Sequence, residues 1–271
     1  MDLSRTQQAN VEFHRRLAQN YEDQPFFRPE NRQRVRELLT AFSRDAGNQR
    51  LLDVGCGTGF ILDLAHDLFT HLEGVDITEE MLEQVTPRPN VHTQLAAAEC
   101  LPFPDQAFDV VTCYSLLHHL SDAGAVFKEA RRVLKPNGVF YADESPSQHF
   151  RDALLGEGES RSAGELLRSE CERVVGDVER YSTLYGIPGD LVREAMVQAF
   201  RSHGLREELL RDGLERAGFT EVCISYRRIM GEHELQRTRT PEEIATLRDY
   251  LTSVLPLSRH LFKYFVLVAR A

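Results

Sequence analysis

Two carboxylates and a run of glycines carry the chemistry most legible in this sequence. Asp53-Val54-Gly55-Cys56-Gly57-Thr58-Gly59 joins a short apolar run at 51–54 to a segment of helical period, FILDLAHDLF. Glycines at such a junction permit positive φ and let the backbone approach a ligand closely. The first helical turn beyond them points free N–H groups the same way. Asp76 ends the next apolar run, 17 residues past Gly59. From that position an acid accepts hydrogen bonds from both hydroxyls of a ribose in nucleotide-binding α/β folds. The third glycine of a dinucleotide fingerprint would fall at position 60, which is Phe60. Asp53, two residues before the first glycine, suits an ammonium group and would repel a pyrophosphate. The pattern therefore favours a cationic amino-acid nucleoside over a nicotinamide dinucleotide. Further along, His118 and His119 follow a fourth apolar run, and Glu144 and His149 follow a fifth. These are the side-chain types that serve as general bases or orienting acids toward a reacting group.

The elements that must position these residues follow from periodicity. Residues 7–21 and 30–43 read as polar helices, separated by Pro25 and Pro29 and carrying Phe13, Tyr21, Phe26 and Phe27. Strands are expected at 51–54, 72–76, 91–95, 108–114 and 139–143, with helices at 60–69, 79–85 and 125–134 between them. The KPNG at 135–138 reads as a stop signal. Alternation of this kind specifies a parallel sheet covered by helices on both faces. Residues 146–210 show no strand pattern; a helix at 191–203 is expected to be capped by Asp190. A helix at 205–217, a strand at 221–229, a helix opened by the Thr240–Glu243 capping box with Pro241, and a strand at 264–269 complete the chain.

LLDVGCGTG, then GVD, then AECLPFPDQAFDVV, LLHHL and RRVLKPNG resemble the class I S-adenosylmethionine (SAM)-dependent methyltransferases, in particular the branch with ubiquinone/menaquinone C-methyltransferases and natural-product methyltransferases. The resemblance covers about residues 51–144, with the motifs in order. It implies an α/β, doubly wound, Rossmann-like seven-stranded sheet whose last strand is antiparallel, and SAM as cofactor. It places Asp53, Gly55, Cys56, Gly57, Thr58 and Gly59 at the methionine end of SAM, Asp76 at the ribose, and Ile77 and Met81 near the adenine. Ser115 matches the position whose backbone lies against the methionine part. Relatives read G-D-A-E where this chain reads Ala96-Ala97-Ala98-Glu99. Ala97 therefore lacks the side chain that contacts the adenine amino group, and backbone around Ala98 or the Glu99 side chain stands in. Tyr21 is expected to close over the methionine end. His119, ahead of His118, is the candidate base, and Glu144 an orienting acid. Tyr181, Tyr185, Met196 and Phe200 are candidates for an acceptor pocket, although the spacing of the last two fits core packing better.

These readings divide the chain into an N-terminal helical lid (1–44), a SAM-binding core (45–145), a helical insertion or substrate lid (146–204) and the rest of the sheet (205–271). With 271 residues and a net charge of −10, the chain lacks the broad basic surface that tracks nucleic-acid phosphate. The expectation is a cytoplasmic enzyme acting on a small molecule, with no nucleic-acid partner, no membrane span and no metal. Five scattered cysteines without zinc-type spacing agree. A methyltransferase acting on RNA or protein, and a non-catalytic SAM-binding protein, are the alternatives.

Overall fold

In the computed structural model, which describes residues 3–24, 27–158, 164–196 and 204–271, seven strands form one sheet in the order β3-β2-β1-β4-β5-β7-β6. These are β1 (Arg50–Val54), β2 (His71–Asp76), β3 (Val91–Leu95), β4 (Phe108–Tyr114), β5 (Leu134–Pro146), β6 (Thr220–Ile229) and β7 (Phe262–Arg270). The first five are mutually parallel, and β7 runs antiparallel to both β5 and β6.

Successive residues of a strand point to opposite faces, and here both faces are apolar. Leu52, Val111 and Phe140 pack on one side with Phe127 of α5 (Ala123–Val133). Leu51, Val110 and Val139 pack on the other with Val35 and Leu39 of α2 (Pro29–Asp45) and with α3 (Phe60–Ala65). Burial on both faces explains why β4, FDVVTCY, reads as a continuous apolar run and not an alternating one. The strand orientation, with its strand-order reversal between β1 and β4, opens a crevice at the carboxyl ends, which is where ligands bind in such sheets.

A helical cap lies over that crevice. Helix α1 (Arg5–Leu17) packs Ala9, Phe13 and Leu17 against Tyr181, Ile187, Val192 and Ala195. These last belong to α8 (Asp177–Tyr185), the turn after it and α9 (Gly189–Ala195). Of the remaining described helices, α4 (Glu79–Leu82) lies between β2 and β3, and α6 (Gln148–Gly158), α7 (Glu165–Val175) and α10 (Glu207–Arg216) between β5 and β6; α11 (Glu232–Thr238) and α12 (Pro241–Ser253) follow β6. Among the described residues no helix is long and apolar enough to cross a membrane.

Several elements depart from expectation. Helix α1 starts earlier, at a capping box in which Ser4 and Gln7 satisfy each other's backbone N–H. It ends at Leu17 and passes into a 3-10 turn over Ala18–Asp23 that carries Tyr21. KPNG does follow the end of α5, which stops at Val133 as expected, but the segment also belongs to the fifth strand, which starts earlier than expected, at Leu134. Pairing steps from Phe108↔Leu134 to Val110↔Val139, so the segment is a bulge inside β5, with Asn137 at φ 64°. Asp190 does not cap α9: Pro188 occupies that position, and Asp190 sits in the first turn, 3.1 Å from Arg193. Phe200 and the expected end of that helix lie outside the described residues.

Candidate functional site

The glycine loop is built by backbone hydrogen bonds from the neighbouring strand. The N–H groups of Gly55 and Cys56 both donate to the Val75 carbonyl, at 2.8 and 2.9 Å. That double anchor requires a sharp reversal, and Gly55 and Gly57 take it at φ 71° and 54°. At Gly57 a Cβ would lie 3.3 Å from the Met81 methyl and 3.5 Å from the Tyr21 ring, so the need for glycine there is conformational, with the Met81 methyl close by.

Asp76 closes the loop from the other side. Its Oδ2 accepts from the Gly57 N–H and its Oδ1 from the Thr78 N–H, both at 2.9 Å. Each carboxylate oxygen has further lone-pair capacity. The two amides therefore aim the group while leaving it able to accept a pair of vicinal hydroxyls.

A cavity of about 340 Å³ opens at this point, within the range of small-molecule sites. It collects Tyr21, Gly55, Gly57, Asp76, Ile77, Met81, Ala98, Glu99, Ser115 and His119 from the sequence-derived set. Ser115 sits at φ 55°, held by its N–H donating to the Asp143 carbonyl at 3.0 Å. A recess of about 20 Å³ adjoins it, sharing Tyr21, Gly55, Gly57, Tyr114 and Ser115 and reaching Asp53 and Cys56. It has room for one small polar group.

Asp53 itself is buried, and Thr112 Oγ1 donates to it at 2.6 Å. Burial pushes its pKa up to about 7, against the lowering effect of the Thr112 hydrogen bond and with a small contribution from Asp76. Asp76, Glu99 and Asp122 line the main cavity, and among the described residues no lysine or arginine does. Such a site suits a cation and disfavours a diphosphate. Among the described residues no three His, Cys, Asp or Glu side chains are arranged to hold a metal ion.

Three expected residues stand apart from the cavity lining. Thr58 is buried away from it, and Gly59 acts as the left-handed N-cap of α3. Glu144 does not face a ligand: its carboxylate is held 2.7 Å from Arg227 and 3.1 Å from Arg228. The reason is its buried neighbour. Asp143 is fully buried; Arg34 at 2.5 Å, Arg227 at 3.2 Å and the Tyr141 hydroxyl at 2.7 Å surround it. Burial alone would raise the Asp143 pKa, but the two guanidinium groups bring it below the ordinary carboxylate value. Arg227 also donates to Asn31 Oδ1 at 2.8 Å, while Asn31 Nδ2 donates to the Tyr114 hydroxyl at 2.7 Å. The network locks α2 onto the carboxyl edge of the sheet. Tyr181, Tyr185 and Met196 pack in the apolar cluster under α1 and are not cavity walls.

What the sequence reading missed is one face of α1. Gln7, Asn10 and His14 recur at spacings of three and four, opposite Ala9, Phe13 and Leu17, and all three line the cavity. The polar stripe was visible, but nothing local says which surface it meets. Gln7 Nε2 donates to Glu99 at 3.2 Å, which ties the stripe to the far wall.

Comparison with known proteins agrees with this geometry. Residues 52–142 match the family described as "Methyltransferase domain". An uncharacterized methyltransferase, YcgJ of Bacillus subtilis, is 36% identical over 162 residues, which is 50% of this chain and 64% of the relative. A ubiquinone/menaquinone biosynthesis C-methyltransferase of Desulfotalea psychrophila is 37% identical over 39% of this chain and 45% of its own length. The 27-O-demethylrifamycin SV methyltransferase of Amycolatopsis mediterranei is 34% identical over 39% of this chain and 42% of its own length. The matched region thus spans about two fifths to just under two thirds of these relatives. Among solved structures, an S-adenosylmethionine-dependent methyltransferase from Mesorhizobium loti superposes with TM-score 0.54 at 17% identity, covering 87% of this chain and 96% of that one.

Proposed function

From the premise that residues 52–142 are a class I SAM-dependent methyltransferase domain, we propose that the whole protein transfers a methyl group to a small-molecule acceptor. The observation that carries this reading is the acidic cavity beside a glycine loop, lined by no lysine or arginine among the described residues, with Asp76 pre-aimed by two backbone amides. The residues present fit SAM. The recess at Asp53 takes the ammonium, Asp76 the ribose hydroxyls, and Ile77, Met81 and the backbone at Ala98 the adenine, with Tyr21 covering the methionine end. SAM supplies a methyl group on a sulfonium, which is reactive enough for direct displacement. The chain's task is then to bind, align and exclude water. Helix α1, backed by α8 and α9, covers the cavity as a lid, and His119 is the candidate proton acceptor there.

A small acceptor is supported by α1 lying along the cavity, by the net charge of −10, and by relatives named for quinone biosynthesis and a rifamycin. Calorimetry with S-adenosylhomocysteine tests the reading. The native protein should bind, and Asp76→Ala should bind at least about tenfold more weakly, the loss expected when ribose hydroxyls lose a charged acceptor. Undiminished binding by the variant removes the ribose assignment; no binding by the native protein removes the function.

A further inference from the structure

The end of the cavity under α1 holds two imidazoles set in matching ways. His14 Nδ1 lies 2.9 Å from the Asn10 carbonyl oxygen, and His119 Nδ1 lies 2.9 Å from the Ala195 carbonyl oxygen. A carbonyl oxygen only accepts, so both rings must carry their proton on Nδ1 and present a bare lone pair at Nε2. Burial keeps both neutral by lowering their pKa, for His14 against the opposing pull of Asp76. The neighbouring His118, its ring centroid 4.2 Å from that of His119, is pushed down to about 3 by burial.

The two rings stand 4.8 Å apart at their centroids, and both line the cavity. Among the described residues neither Nε2 has a hydrogen-bond partner in the protein. Asn10 keeps them in register. Its backbone carbonyl accepts a hydrogen bond from His14 Nδ1–H, while its side-chain amide donates to the His119 carbonyl at 3.1 Å and to that of Thr6 at 3.0 Å. The nearby Glu99 and Asp122 of the lining are acceptors too.

We infer that His14 and His119 together recognise a hydrogen-bond donor on the methyl acceptor, a hydroxyl or an N–H, and discriminate against compounds that offer only ether or carbonyl oxygens there. This rests on the methyltransferase reading and specifies its acceptor class. A ligand O–H satisfies one Nε2 lone pair. A methyl ether satisfies neither and leaves buried acceptors unpaired, which corresponds to a discrimination of about tenfold or more.

The test uses the full chain saturated with S-adenosylhomocysteine and titrated with matched pairs: phenol and anisole, 1-naphthol and 1-methoxynaphthalene, indole and 1-methylindole. The donor member of at least one pair should bind about tenfold more tightly. That preference should collapse in His14→Phe and in His119→Phe, each of which should still bind S-adenosylhomocysteine as proof of folding. Long-range proton–nitrogen NMR should show both rings protonated on Nδ1. Equal binding within every pair, a preference that survives both substitutions, or the opposite tautomers overturns the inference. So does a loss of S-adenosylhomocysteine affinity in His14→Phe as large as that in Asp76→Ala, which would assign the lone pairs to the nucleoside. Failure of the native protein to bind S-adenosylhomocysteine is a separate result, and it defeats the methyltransferase reading itself.

Discussion

Asp53→Asn gives the most quantitative check on the site. The native carboxyl, buried beside Thr112, has its pKa raised to about 7 from an ordinary 3.8. Between those two values the folded protein holds a proton that the unfolded chain has released. Stability contributed by this group is therefore complete below about pH 4 and declines as pH rises to about 7. The interval corresponds to about 4 kcal/mol at ~1.4 kcal/mol per pH decade. Asparagine keeps an acceptor for the Thr112 hydroxyl but does not titrate. Urea unfolding at pH 4.5, 5.5, 6.5 and 7.5 should thus show the variant gaining on the native protein, by several kcal/mol across the series. The same proton should respond to ligand. An ammonium seated in the recess favours the ionised carboxylate, so S-adenosylhomocysteine should bind more tightly at pH 7.5 than at 5.5, with proton release visible as buffer-dependent heat. Asp53→Asn should abolish that release. A difference between variant and native stability that is flat with pH, or that shrinks as pH rises, would refute the assignment of a neutral buried Asp53.

Two further substitutions probe the frame around the site. Gly57→Ala puts a Cβ at φ 54° against Met81 and Tyr21; a loss of about 1–2 kcal/mol in unfolding free energy should accompany weakened S-adenosylhomocysteine binding, and wild-type affinity would contradict the close approach. Arg227→Met leaves Glu144 with Arg228, and Asp143 with Arg34 and the Tyr141 hydroxyl; chemical denaturation should show a cost of about 1.5–3 kcal/mol, and a neutral effect would mean that the network does not hold α2 to the sheet.

How much of this was readable follows element by element. Strands β3 and β4 fall at the expected positions, and β1 and β2 within one residue, because each is a short apolar run bounded by turn residues, a local pattern. The glycine loop and Asp76 were equally legible, since their spacing reflects one strand–turn–helix–strand unit. The arginine partners of Glu144 were hidden for the opposite reason. A carboxylate at a strand end reads the same whether it meets a ligand or two arginines from β6, more than 80 residues away. The bulge at KPNG was hidden likewise. Pro and Gly mark a break, but the pairing that carries β5 through it comes from β4 and from the chain's last residue, Ala271, whose carbonyl accepts from Asn137.

By itself the sequence determined the alternation of strands and helices, the glycine loop and the acid at the end of β2, because each is a local pattern of residue types. Tertiary structure alone decided where the polar stripe of α1 lands, which carboxylates are neutralised by arginines, and which carbonyl the His119 ring meets. Those outcomes depend on partners remote in the chain, such as Ala195 on His119 and Asn10 on the turn after β4. Burial supplies the rest: it is a property of the assembled layers, and it turns Asp53 from an ordinary carboxylate into one that titrates near neutrality.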